Sequence, residues 1–391
     1  MPAIFVPYMM AKKINAMKPK PSKLTQSVHA GSAGDPLYGG VVNPVYLSSA
    51  YDYEETVRYP RYYNTPNQLA VAEKIAALEN GEAGLVFSSG MAAIMTSLLA
   101  LAKPGDHIVF QSDLYGGTHH AVLHGLDRLG ITHTMVDAAD PSNFEKAICR
   151  ATRAIYIETP SNPLLKITDI KKVVGIAKKH QLTTVIDNTF ASPVNQNPID
   201  LGVDIVVHSG TKYIGGHSDL CCGLMVSSKK LTEKIKPNAI QFGGSLDAQA
   251  CYLVERSLKT IVLRVNQQNS NAMAIARFLE ADSKVGKVYY PGLETHPSHS
   301  VAKRQMPGGF GGMLSFELKG SPGPFMKKLK YIKRAVSLGG VESTINSPVK
   351  TSHAKLTAEE RKAAGISDKL VRLSVGIEDP ADLINDIKKA L

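Results

Sequence analysis

This 391-residue chain lacks long hydrophobic runs, paired cysteines and early acidic residues. No stretch approaches the roughly 18 apolar residues that cross a bilayer, so a membrane-spanning chain is excluded. The four cysteines, Cys149, Cys221, Cys222 and Cys251, have no C-x-x-C spacing. Neither a zinc site nor a disulfide framework is indicated, and a reducing compartment fits. Acids are outnumbered and the formal charge is +11. However, Lys12, Lys13, Lys18, Lys20 and Lys23 all precede the first acid, Asp35, and read as a solvated N-terminal tail, while Lys327, Lys328, Lys330, Lys333 and Arg334 read as the solvated face of one helix. With no aromatic-interleaved basic stripe, no nucleic-acid partner is expected. The apolar stretch from Ile4 to Met10 precedes the lysines and contains Pro7, which is not a signal-peptide plan, so the expected location is the cytoplasm.

Several motifs are missing as well. No G-x-G-x-x-G follows the first strand and no G-x-x-x-x-G-K-[ST] occurs, which argues against dinucleotide and P-loop chemistry. His119-His120, and His296 with His299, lack further ligands at metal spacing. Internal repeats and low-complexity tracts are absent.

What is present supports a large core: 43% of residues are hydrophobic and 20% charged, and the length allows about two domains at roughly 100–200 residues each. Residues 1–62 are rich in Pro, Gly, Tyr and Ser and read as an extended arm. From there, helical segments alternate with short apolar strands. The helices are Leu69 to Glu79, Met91 to Ala102 and Ile170 to Lys179. The strands are Gly84 to Phe87, His107 to Phe110, Ala154 to Ile157, Thr183 to Asp187 and Asp204 to His208. This alternation predicts an α/β domain over 63–255, with a parallel sheet covered on both faces. A long helical stretch from about 255 to Ala281 then leads into strand-like pieces (Val285 to Tyr289, Gly312 to Leu318, Val371 to Val375) and a final helix, a smaller α+β domain over 256–391.

Ligands of such sheets bind beyond the carboxyl ends of the strands. Ser88-Ser89-Gly90-Met91 there opens a helix and offers free amides to a phosphate, although a plain strand–helix turn reads the same way. Asp187-Asn188-Thr189 presents a carboxylate, which as readily caps the next segment. His208-Ser209-Gly210-Thr211-Lys212 presents a lysine crowded by hydroxyls, and a desolvated lysine attacks carbonyl carbons. Tyr115 presents a ring on a loop. A phosphate cradle, a ring partner, a carboxylate and a Schiff-base lysine together describe pyridoxal 5′-phosphate (PLP). Ser209 and Lys212 also match S-x-x-K of serine acyl-enzymes, but the accompanying S-D-N and K-T-G are absent. A basic, non-enzymatic binding protein is a further alternative.

The run from His208 to Asp219 resembles the lysine-site signature of the Cys/Met-metabolism (trans-sulfuration) family of fold-type I PLP enzymes, which includes cystathionine β- and γ-lyases, cystathionine γ-synthase and methionine γ-lyase. Ser88 to Ala92, Tyr115 to Thr118, Glu158 to Pro163, Asp187 to Phe190, Ser337 to Ser343 and Val371 to Gly376 extend the likeness, in order, from about residue 25 to the C-terminus. The resemblance implies an aminotransferase-like fold, with a mostly parallel seven-stranded sheet between helices. It implies that Lys212 carries the cofactor and shuttles protons, Asp187 pairs with the ring nitrogen and Tyr115 stacks on the ring. Gly90, Met91, Thr189, Ser209 and Thr211 then belong to the cofactor site, and Asn162, Ser337 and Arg372 to the substrate site. Tyr59 and Arg61 match a pair that reaches a neighbouring subunit's phosphate, which implies a homotetramer, a dimer of dimers with shared sites. Arg61 to Asn67 carries one residue more than the family pattern, near Thr65. The implied activity is cleavage of cystathionine, and of cysteine-like amino acids, by β- or γ-elimination, with γ-synthase and methionine γ-lyase as alternatives. Gly117 stands where methionine γ-lyases resemble one another in having cysteine. Val336 stands where many γ-enzymes carry glutamate, and plant-type β-lyases resemble this chain there.

Overall fold

The computed structural model describes residues 20–352, 354 and 357–391. Its larger sheet has seven strands: β1 (Ala83–Phe87), β2 (His107–Gln111), β3 (Thr132–Val136), β4 (Thr152–Glu158), β5 (Thr183–Asp187), β6 (Ile205–Ser209) and β7 (Gly223–Ser227). They lie in the order β1-β7-β6-β5-β4-β2-β3, and β7 runs against both of its neighbours. The central strands are apolar on both faces because both are covered. Tyr156, Val185 and Val207 pack on one face with Ala93 and Leu98 of the helix Gly90–Leu101. Ile155, Ile186 and Val206 pack on the other with Val173 and Ala177 of the helix Ile170–Lys179. That second helix starts where Asp169 accepts the Lys172 amide at 3.3 Å, and its buried Ile170, Val173, Val174 and Ala177 fall on one stripe.

The second sheet holds β8 (Val285–Tyr289), β9 (Met313–Leu318), β10 (Lys333–Arg334), β11 (Thr344–Asn346) and β12 (Leu370–Ser374), in the order β10-β11-β12-β9-β8. The expected stretch from 255 to 281 is two helices, Ala248–Leu258 and Ile261–Ala281. The first runs through the expected boundary at 255. The second buries Ile261 and Val265 in the large domain's core and Ile275 and Leu279 in that of the second sheet.

Two readings of the basic residues are corrected. Lys327 and Lys328 end the helix Pro322–Lys328, while Lys333 and Arg334 form β10. The helix cannot continue between them because the Asp386 carboxylate takes the amides of Lys330, Tyr331 and Ile332. Lys23 is not a solvated tail residue: its half-buried amine bonds to the Pro193 and Val194 carbonyls. Lys12, Lys13, Lys18 and the stretch from Ile4 to Met10 lie outside the described residues.

Among the described residues the arm holds a short α-helix, Lys23–His29, anchored where buried Lys74 donates to the Ser27 and Val28 carbonyls at 3.1 and 3.0 Å. Beyond it, Leu37, Tyr38, Val41, Leu47, Tyr53 and Val57 are exposed. Near Thr65 the chain makes a turn at Pro60–Tyr62 and passes Tyr63 in the left-handed region (φ 56°). It then enters the helix Pro66–Glu79 through a Thr65–Gln68 capping box. Among the described residues no helix is long and apolar enough to cross a membrane.

Candidate active site

The carboxyl ends of β4, β5 and β6 converge with the start of the helix Gly90–Leu101. Asp187 closes β5, and its Oδ1 accepts the Thr189 amide at 2.9 Å. Thr189 Oγ1 accepts the Ser209 amide at 2.8 Å, which ties the end of β6 to the segment after β5. On the helix side, Ser89 Oγ takes the Ala92 amide at 3.1 Å and leaves the Gly90 and Met91 amides for a ligand. Glycine is required at 90: a Cβ there would lie 2.9 Å from the Ser209 Cβ, so only a bare backbone lets the helix rest on β6. Thr211 stands in the turn after β6, and its Oγ1 accepts the Cys222 amide at 3.1 Å.

Lys212 follows in the same turn. Its Nζ donates to Ser337 Oγ at 2.9 Å. Burial, and then the Arg372 guanidinium, lower its pKa below the ordinary 10.5, which favours the neutral, nucleophilic amine. Its partner is Ser337 rather than Ser209, so the S-x-x-K pairing of an acyl-enzyme is not formed. Ser337 itself sits at φ 75°.

Arg372 comes from the interior of β12, between Asn346 on β11 and Ser315 on β9. Its Nη1 donates to Asn162 Oδ1 at 2.7 Å and its Nη2 to the Ser337 carbonyl at 3.4 Å, while its buried Nε has no partner among the described residues. Burial brings its pKa down to about 10. An orphaned guanidinium N–H beside an amide is a place for a carboxylate. Lys212, Ser337, Arg372 and Asn162 thus form one connected group from four separate stretches of chain.

Tyr115 caps the helix Gly116–Ala121 rather than riding a free loop, and its ring is half exposed. The ring folds over Gly117, where a Cβ would lie 2.5 Å from Tyr115 Cε1. Its amide donates to Glu158 at 2.8 Å.

Glu158 closes β4 in register with Asp187, so two buried carboxyls stand side by side. Burial, then the charge of Asp187, push Glu158 well above the usual carboxylate range. Asp187 is also pushed up by burial, opposed by its hydrogen bonds with Thr189 and by His208. No role was assigned to Glu158 from sequence, although it ends its strand as Asp187 does, and that position was the available signal.

Tyr59 and Arg61 are placed elsewhere. Arg61 donates to the Ile240 carbonyl at 2.7 Å and its guanidinium lies 5.5 Å from the Tyr62 ring centre. None of the hydrogen bonds or ring contacts of Tyr59 and Arg61 reaches Lys212, Ser209, Thr211 or the Gly90 amide.

What such an arrangement can take is a phosphorylated aromatic aldehyde: amides for the phosphate, a lysine of lowered pKa for the carbonyl, a carboxylate for a protonated ring nitrogen. The fold and the site are those of a PLP-dependent enzyme acting on a small molecule. The chain belongs to the Cys/Met metabolism PLP-dependent enzymes, whose family model matches residues 24–391. It is 45% identical over 375 residues to a cystathionine beta-lyase of Lactococcus lactis subsp. cremoris (94% of this chain, 98% of that one). It is also 45% identical over 376 residues to a cystathionine gamma-lyase of Bacillus subtilis (94% and 99%). The crystal structure of cystathionine gamma-lyase from Lactobacillus plantarum complexed with L-serine superposes with a TM-score of 0.91 at 42% identity, covering 95% of this chain and 98% of that one.

Proposed function

We propose that the protein is a carbon–sulfur lyase that cleaves cystathionine, and cysteine-like amino acids, by β- or γ-elimination to a 2-oxo acid, ammonia and a thiol amino acid. The observation that carries this reading is the Lys212 amine, held 2.9 Å from Ser337 and beside the unpaired Arg372 Nε. It places a movable base next to a carboxylate clamp. PLP, when bound, supplies the electron sink that acidifies the substrate's α-C–H. The rest is done by the chain. Arg372 and Asn162 hold the α-carboxylate, which fixes the α-C–H toward Lys212. Lys212 Nζ takes that proton and, for γ-elimination, moves a second one from Cβ. Asp187 keeps the ring nitrogen protonated, and the Gly90 and Met91 amides with Ser209, Thr211 and Thr189 hold the phosphate end. Tyr115 covers the ring.

Val336, exposed beside Ser337, stands where many γ-enzymes of the family carry glutamate, and this departure favours β-elimination. The test is an assay of the PLP-loaded protein with cystathionine: pyruvate marks β-elimination, 2-oxobutyrate marks γ-elimination. Formation of cystathionine from an O-acyl-homoserine and cysteine, with no oxo acid from either, would replace the lyase reading by γ-synthase.

The same reading makes the protein a cytoplasmic homotetramer, built from dimers that share sites, with units at 1–62, 63–255 and 256–391. Its support is that Tyr59 and Arg61 stay away from their own chain's Lys212 while the arm leaves a row of apolar side chains exposed. Mixing inactive Arg61→Ala with inactive Lys212→Ala under subunit exchange restores activity if sites are shared. No recovery with exchange confirmed means that each chain builds its own.

A further inference from the structure

Side chains alternate across a strand, so the neighbours of the site residues point to the opposite face of the sheet. Asn188 follows Asp187, and His208 precedes Ser209. Both are buried, and both end on Glu79, the last residue of the helix Pro66–Glu79 on that back face. His208 Nε2 lies 2.6 Å from Glu79 Oε1, and Asn188 Nδ2 donates to the same oxygen at 2.8 Å. Asn197 Nδ2 donates to Oε2 at 3.3 Å. Gln196 completes the cluster, with its Nε2 donating to Asn188 Oδ1 at 2.9 Å and to the Thr159 carbonyl at 3.2 Å. Glu79 and His208 are 0% and 1% exposed.

A buried carboxylate is expensive, and packing alone would be met more cheaply by an apolar side chain. What Glu79 does that a leucine could not is to hold the residue after Asp187 and the residue before Ser209 on one oxygen. The ends of β5 and β6 then keep a fixed separation. We propose that Glu79, through His208 and Asn188, is a positioning residue that holds the Asp187 carboxylate in place for the cofactor's ring nitrogen. The inference rests on the reading of Asp187 as the ring partner. The groups that act on Asp187 are Glu158 and Tyr156 on β4, Thr189 on its own segment and, from the opposite face of β6, His208. Of these, His208 is the basic one, and it opposes the effect of burial on Asp187.

The test compares two cofactors by equilibrium titration of the stripped protein: PLP, and its analogue with carbon in place of the ring nitrogen. Asp187→Asn is the reference and weakens PLP while sparing the analogue. Glu79→Gln keeps the shape and removes the charge. It is expected to raise the Kd for PLP about tenfold and that of the analogue less than about twofold, and to add nothing in the Asp187→Asn background. Equal weakening of both cofactors means general loosening and overturns the proposal, as does an unchanged PLP affinity. If Asp187→Asn itself fails to separate the two cofactors, the ring contact is wrong and the inference falls with it. Should Glu79→Gln not fold, as judged by the melting of the stripped protein, His208→Gln carries the test. It keeps a donor for Glu79, removes the imidazole and is expected to give about a threefold selective loss.

Discussion

Lys212 and Arg372 meet at Ser337 from opposite sheets, and they are mounted differently. Lys212 sits in a turn beyond the end of β6, with its amine donating to Ser337 Oγ. Arg372 sits inside β12, flanked in register by Asn346 and Ser315, with its guanidinium fixed to Asn162. In the proposed mechanism, the group that exchanges partners and carries protons is on a loop, and the group that holds the substrate still is on a strand. Parallel strands offer their ends, so the larger sheet supplies movable chemistry, and an antiparallel strand covered on both sides supplies a rigid clamp.

The comparison can be broken most severely at the lysine. Lys212→Ala is expected to lower turnover at least about 10³-fold and to abolish the visible chromophore that borohydride fixes to the protein, with the fold retained by circular dichroism. Near wild-type turnover would remove Lys212 from the chemistry. Asp187→Asn should still bind PLP but lose roughly 10²-fold in kcat, because an amide cannot hold the ring nitrogen protonated. An unchanged kcat would show the carboxylate to be structural. Arg372→Lys keeps a charge but loses the planar fork, so KM should rise about 10- to 50-fold with a smaller change in kcat. If kcat fell and KM did not, the strand-mounted clamp would be acting in catalysis rather than in binding.

The smallest effect concerns stability of the stripped protein. A lysine whose pKa is lowered by folding opposes folding while it is protonated. That penalty is complete at low pH and disappears as pH rises through the folded-state pKa toward 10.5. Lys212→Met should therefore melt higher than the parent near neutral pH, by roughly 2 °C, and the gap should close toward about pH 10. A gap independent of pH would assign the difference to packing alone.

The sequence was informative where burial and local pattern coincide. β4, β5 and β6 are covered on both faces and read as apolar runs, and the residues at or just beyond their ends, Asp187 and Lys212 among them, stand out as candidate ligands of one cofactor. β3 was missed because it is a half-exposed edge with polar Thr132, His133 and Thr134. β7 is buried throughout but was missed because it follows the lysine turn directly, with no intervening helix to set it off from β6. The helix expected at Lys327 to Arg334 is broken by Asp386, more than 50 positions away. Asn162, Ser337 and Arg372 share no local pattern, and their grouping came from resemblance. Glu79 and His208 form a long-range pair that no spacing announces.

The helix Ile261–Ala281 has its own consequence. It is about 30 Å long, and its two halves are buried in two different cores. Neither lobe can lose its packing without exposing one end of a rod that the other still holds. Heating should then give one calorimetric endotherm rather than two. Amides along that rod should exchange hydrogen only by global opening, and cofactor bound at the ends of the larger sheet should slow exchange inside the smaller one.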